Sequence, residues 1–156
     1  MKNISFLLMV MLLISCNSDG NEQFFIDTSI TISVKDINGT DRLDPQNPNN
    51  LNESDIKLYY LKDGEAQEVF NGNLDHPKGF FIYEHQEEHR IAIFPNVDRS
   101  EEYPVTYIQW SEQDMDTIKC KIKRTSSSEV CTEVWFNNDL KWDSSQPVER
   151  YFEITK

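Results

Sequence analysis

Thr117-Ile118-Lys119-Cys120-Lys121-Ile122-Lys123 switches between polar and apolar at every step, and this alternation decides the fold class. Side chains on a β-strand point to opposite faces with a period of two, so Ile118, Cys120 and Ile122 share one face and the lysines take the other. From Phe24 onward no segment keeps a 3.6-residue apolar period for the ten or so residues that a helix needs. The stretch therefore reads as a half-buried strand over 116–124.

The same grammar extends outward. Residues 125–128 are a polar loop, and Val130, Val134 and Phe136 mark a second strand over 130–137. β-branched and aromatic runs predict further strands at 24–35, 56–62, 66–70, 79–84, 89–94, 104–111 and 148–155. Asp63-Gly64, Asn71-Gly72 and Asn137-Asn138-Asp139 supply turn residues between them. Short strands at this spacing predict two antiparallel sheets packed face to face, an all-β sandwich forming one domain over 24–156. One connection breaks the rhythm: residues 36–55 are rich in Asp, Asn and Pro, and a loop of that length in a compact domain is usually functional or mobile.

The amino terminus carries a different message. Lys2 is followed by an unbroken apolar run from Phe6 to Ile14, the order of a secretory signal, and the run is too short to span a bilayer as a helix. It ends in Leu13-Ile14-Ser15-Cys16, which resembles the lipobox of bacterial lipoproteins. That resemblance implies a signal peptide at 1–15, thioether lipidation and amino-terminal acylation (palmitate or a similar chain) at Cys16, and a lipidated tether at 16–23. Several acyl chains together hold a protein on a membrane where one holds only weakly. Asn17 next to the cysteine, with Asp19 and Glu22 in the tether, is similar to the sorting signals of outer-membrane lipoproteins of the Bacteroides group. The mature chain as a whole resembles the small lipoproteins of that group, which implies an outer-membrane location on the periplasmic or cell-surface face.

Ile32-Ser33-Val34-Lys35-Asp36, Gly39, Leu43, Asp55-Ile56-Lys57-Leu58-Tyr59-Tyr60 and Asp63-Gly64 are also similar to the first hairpins of transthyretin-like and carboxypeptidase-regulatory-like sandwiches. An Ig-like sandwich is the other form the strand pattern allows. Neither likeness implies an activity.

Charge excludes some partners. Twenty-seven acids stand against 15 Lys plus Arg, and loss of Lys2 with the signal moves the net charge from −12 to −13. Nucleic acid is bound through an excess of Lys and Arg, so a nucleic-acid function is excluded. A membrane partner is expected through the lipid, and a protein or glycan partner through the domain.

Five groups of residues invite a chemical reading. With Cys16 assigned to lipid, Cys120 and Cys131 remain as a possible disulfide in an oxidising compartment. Register works against it: matching the apolar faces of the two strands separates the cysteines, and direct pairing turns Glu129 and Glu133 inward, unless a bulge satisfies both. Asp36, Asn38, Asp41 and Asp44 place hard oxygen ligands around Gly39, as a calcium loop does, although an Asn-Gly turn explains the same residues. Trp110, Trp135 and Trp142, with Tyr103 and Tyr107, are the inventory for stacking against a sugar. His85-Gln86-Glu87-Glu88-His89 resembles the H-x-x-E-H motif of inverted zinc peptidases, but the flanking strands make it a hairpin connection, and zinc there needs both histidines on one helix face. Asp116-Thr117-Ile118 is similar to the O-glycosylation site of exported Bacteroides-type proteins. With no nucleophile elbow and no phosphate loop, the sequence predicts a binding or accessory module and not an enzyme.

Overall fold

The computed structural model of the protein describes residues 24–156, so the expected signal peptide, the lipidation at Cys16 and the tether lie outside the described residues. Eleven strands follow in order: β1 (Phe25–Asp27), β2 (Ile30–Lys35), β3 (Lys57–Lys62), β4 (Glu65–Glu68), β5 (Phe80–His85), β6 (Glu88–Ile93), β7 (Val105–Ser111), β8 (Asp114–Arg124), β9 (Ser128–Phe136), β10 (Asp139–Asp143) and β11 (Tyr151–Thr155). One sheet runs β1-β9-β8-β7-β3-β4, with β10 also on β9; the other runs β11-β2-β6-β5. The protein is a single-domain β-sandwich, as its alternation predicts.

The differences from the expected strands are local. The single strand expected over 24–35 divides at Thr28 and Ser29, so that β1 joins the seven-stranded sheet and β2 the four-stranded one. β10 falls where only a turn was expected, and Asn71-Gly72 opens a longer excursion in place of a tight hairpin. The sheets are mixed, not purely antiparallel. Seven ladders are antiparallel, but β1 lies parallel to β9 and β11 parallel to β2. Those exceptions belong to the first and last strands, whose partners are remote in sequence, so no hairpin turn dictates their direction.

Two tight hairpins use the predicted turn chemistry. Asp63 and Gly64 both have positive φ (53° and 82°), as do Asn137 and Asn138 (50° and 71°), the geometry that matches strand twist. Between the sheets, Ile30, Ile32, Val34, Ile91 and Ile93 face Leu58, Ile108, Trp110, Ile118 and Val134, all essentially inaccessible to solvent. Phe136 and Phe152 meet edge to face across the layers with ring centroids 5.7 Å apart.

A bulge resolves the register conflict of the cysteine-bearing strands. Lys121 pairs with Glu133 and Ile122 with Cys131, so Thr132 is the extra residue. Its hydroxyl donates to the Lys121 carbonyl at 3.2 Å. Cys120 and Cys131 are thereby both buried, Glu133 turns outward to Lys121 at 3.0 Å, and Glu129 turns inward. The inward Glu129 carboxylate is met by Arg99 at 2.7 Å and by Arg124 at 3.5 Å.

The carboxylate of Asp116 is the polar centre of the core. It accepts from the Trp110 indole Nε1 at 2.8 Å and the Asn137 Nδ2 at 2.7 Å, and pairs with the Lys156 ammonium. Lys156 follows β11, so this cluster ties the end of the four-stranded sheet to the interior face of the other.

Candidate functional site

A mainly apolar concavity lies where the chain leaves the edge of one sheet for the edge of the other. β4 and β5 are the two edges, and residues 69–79 connect them. This segment is fastened by the Val69 N–H on the Leu58 carbonyl (2.8 Å), the Asn71 N–H on Pro77 (2.8 Å) and the Gly79 N–H on His76 (3.0 Å). It frames a recess of about 620 Å³ lined mainly by apolar groups of Tyr60, Val69, Phe70, Leu74, Pro77 and Phe94, with Lys62, Glu68, Asn71, Asp75 and His76 at polar positions.

Phe70 is 72 % exposed and Leu74 57 %, so apolar side chains that a core would hide stand at this rim. The floor is rigid. The Tyr60 hydroxyl donates to the Phe94 carbonyl at 2.8 Å, and burial pushes its pKa up to about 12, so the phenol keeps its proton throughout the neutral range. His76 stacks on Phe81 with centroids 4.1 Å apart, and Phe94 lies 6.0 Å from the same imidazole. Tyr83 and His85 continue this aromatic row along β5.

Gly79 controls the recess from below. Its φ is +77°, and a Cβ there would stand 2.9 Å from Val69 Cγ1 and 3.4 Å from Leu58 Cδ1. Gly79→Ala is therefore expected to combine left-handed strain with overpacking and to cost about 2 kcal/mol in urea denaturation. The signal in the sequence for this site was slight. Phe70 and Phe94 read as the last residues of the predicted strands 66–70 and 89–94, and Leu74 stands alone in the polar stretch after Asn71-Gly72, so nothing local marked the three as neighbours.

A second aromatic feature lies on the outer face of the seven-stranded sheet. Trp135 is half-buried and meets Tyr103 edge to face at 5.4 Å. Lys121 stands 5.8 Å above the Tyr103 ring, and Lys119 donates to Asn138 Oδ1 at 2.8 Å. Tyr103, Lys119, Trp135 and Asn138 line a shallow depression of about 410 Å³. The other two tryptophans are structural. Trp110 is in the core on Asp116, and Trp142 is 8 % exposed, its Nε1 on the Val148 carbonyl (3.1 Å) and its face under the Arg150 guanidinium (4.9 Å). Three tryptophans thus reduce to one platform.

The expected calcium loop does not converge. Asp36 Oδ1 accepts from the N–H groups of Asn38 and Thr40, Asp41 from those of Leu43 and His89, and Asp44 from that of Gln46. Asn38 contributes its own N–H to that first turn. The carboxylates build successive turns of backbone, and among the described residues no group of three or more His, Cys, Asp or Glu side chains is arranged to hold a metal ion. The loop at 36–55 is thus ordered from within, with Leu43 in the core.

The zinc-like motif is a hairpin. His85 pairs with Glu88 and Glu84 with His89, which puts the two imidazoles on opposite faces of the ribbon. Glu88 is engaged by Lys35 at 3.0 Å and Arg90 at 2.6 Å, and the His89 Nδ1 lies 3.6 Å from Asp41. Burial alone would raise the Glu88 carboxyl, but its two cations hold it below the ordinary carboxylate range.

Cys120 and Cys131 are both buried, and no disulfide joins them in this structure. They are diagonal neighbours across the bulge, with Val134 directly opposite Cys120 and Ile122 opposite Cys131. A hydrogen bond to Cys131 and burial push the Cys120 thiol up, away from the reactive thiolate. In Asp116-Thr117-Ile118, the acid is the buried partner of Trp110, and the Thr117 N–H and carbonyl are both bonded to Asn137.

The fold and its surface define a class: a single-domain β-sandwich with an apolar recess between its sheet edges and an aromatic platform on one face. No protein-family model, no curated protein and no solved structure matches the chain.

Proposed function

We propose that the mature protein is a non-enzymatic binding module, held at the outer membrane by acylated Cys16, whose recess between β4 and β5 takes an apolar or aromatic group of a partner. The observation that carries this reading is the exposure of Phe70 and Leu74 over a mostly apolar hollow with a few polar groups at its edge, the usual make-up of a ligand pocket. An isolated exposed apolar residue needs no explanation; several around one recess do.

The anionic fluorophore 1-anilinonaphthalene-8-sulfonate tests the recess directly. The folded protein is expected to bind it with one-to-one stoichiometry, and Phe70→Ser with Leu74→Ser to abolish binding while leaving the unfolding free energy within about 0.5 kcal/mol of the parent, as for surface substitutions. Equal binding by the double variant would refute the assignment.

A second reading is supported by the Trp135 platform, where an aromatic face lies beside amide and ammonium groups suited to sugar hydroxyls. On a glycan array, any ligand of this face should be lost in Trp135→Ala, with about 1–3 kcal/mol of stacking removed, a range borrowed from the analogous stacking of bases on aromatic side chains. Retention of the same glycan signal by Trp135→Ala would end this reading.

A further inference from the structure

Phe24, Phe25 and Ile26 are consecutive, apolar and exposed, at 43 %, 57 % and 63 % respectively. Folding does not require this arrangement. β1 contributes only three paired residues to the edge of β9, and its attachment is secured by polar groups: the Phe25 N–H on the Ser127 carbonyl (2.9 Å) and Asp27 on the Arg150 guanidinium (2.9 Å).

We infer that the Phe24-Phe25-Ile26 edge is a bilayer-contacting patch that seats the domain on the lipid surface, an inference that rests on acylation of Cys16. Eight Cα steps separate Cys16 from Phe24, a reach of at most about 28 Å when fully extended. The patch is thus held within about 28 Å of the lipidated residue, and tethering raises its effective concentration at the membrane. Under those conditions a small apolar patch, too weak to bind lipid on its own, remains in contact. Phenylalanine is also among the side chains that interfacial segments bury at the boundary between headgroups and acyl chains.

The electrostatics of this end permit the approach, although the domain as a whole is strongly acidic. Asp27 is neutralised by Arg150, and Glu129, beside Ile26 in the ladder, is met by Arg99 and Arg124. Arg99 is itself 71 % exposed, and Lys123 on the adjoining strand is exposed as well. The two carboxylates of this edge, Asp27 and Glu129, are therefore paired, and exposed cations lie near it.

The full lipoprotein, reconstituted into phosphatidylcholine vesicles with brominated acyl chains, tests the inference through added indoles. Phe25→Trp places a reporter in the patch. Leu140→Trp is the control, since Leu140 is 52 % exposed and pairs with Trp135, seven residues along β9 from Ser128. The Phe25→Trp emission, after subtraction of the parent, is expected to shift to the blue and to lose most of its intensity to the bromines, while that of Leu140→Trp is unaffected. Equal emission of the two reporters in protein whose mass carries the acyl chains would overturn the patch and leave the anchor standing. A blue shift without quenching would overturn it in favour of contact between two copies of the chain. A mass without acyl chains would overturn the anchor and this inference with it.

Discussion

Trp110→Ala is expected to remove about 4 kcal/mol or more from the unfolding free energy, measured by urea denaturation followed by far-UV circular dichroism. The loss has two sources. The indole is 1 % exposed and fills the space between the sheets, so truncation leaves a cavity that strands on both sides cannot close. It also strands Asp116, whose Oδ2 accepts the indole N–H at 2.8 Å. Trp110→Phe separates the two, because it keeps most of the apolar volume and removes only the donor; its cost is expected near 2 kcal/mol. A typical domain of this size has about 5–15 kcal/mol in total, so the alanine variant should be partly unfolded without denaturant. A change below about 1 kcal/mol would contradict the packing described for the core.

Asp116→Ala is the second large effect, expected at about 3–5 kcal/mol because it leaves charged and polar partners unpaired. Trp110 Nε1 and Asn137 Nδ2 would lose their acceptor, and the Lys156 ammonium, whose side chain is 14 % exposed, would keep only Asp114. Asp116→Asn retains the shape and halves the problem, since the amide oxygen still accepts while the charge opposite Lys156 is gone. Trp110→Phe and Asp116→Asn touch one network, so the double variant is expected to lose less than the two single losses together.

The same carboxylate gives stability a pH dependence of known sign. Burial alone would raise the Asp116 carboxyl, but the hydrogen bonds from Asn137, Lys156 and Trp110 prevail and hold it below the usual range. A depressed native value contributes stability that is fully present above the unfolded value of about 4 and is lost as pH falls through the native one. Asp27, drawn down by its hydrogen bond to Arg150, acts in the same direction, as does Glu88. The parent's urea midpoint should therefore fall steeply on acidification below about pH 4, and Asp116→Asn should fall less.

Much of the fold was legible because a strand with one buried face must alternate. Ile118, Cys120 and Ile122 have no other way to share a face, and all three are in the core. The Asp63-Gly64 and Asn137-Asn138 turns were legible for a related reason, since positive φ is tolerated by few residues. The parallel partners of β1 and β11 were not legible, because nothing local encodes which remote strand a terminal strand joins. The site was harder to read still. Trp110, Trp135 and Trp142 look alike as letters, yet one is core, one is a platform and one is clamped under Arg150. The four oxygen-bearing residues of the 36–44 stretch look like ligands until their turns are seen.

What the sequence determined by itself is the class of structure, an all-β sandwich read from period-two burial, because the geometry of a single strand fixes where each side chain points. It also carried the bulge problem between β8 and β9 in plain view. Only the tertiary structure decided how that conflict is resolved, by one extra residue at Thr132 that buries Cys131 and gives Glu129 two arginines. It alone placed Phe70, Leu74 and Phe94 around one recess, and it alone left Phe24, Phe25 and Ile26 uncovered. The physical reason is common to these cases. Alternation constrains a residue relative to its own strand, whereas exposure and convergence depend on which distant segment packs against it.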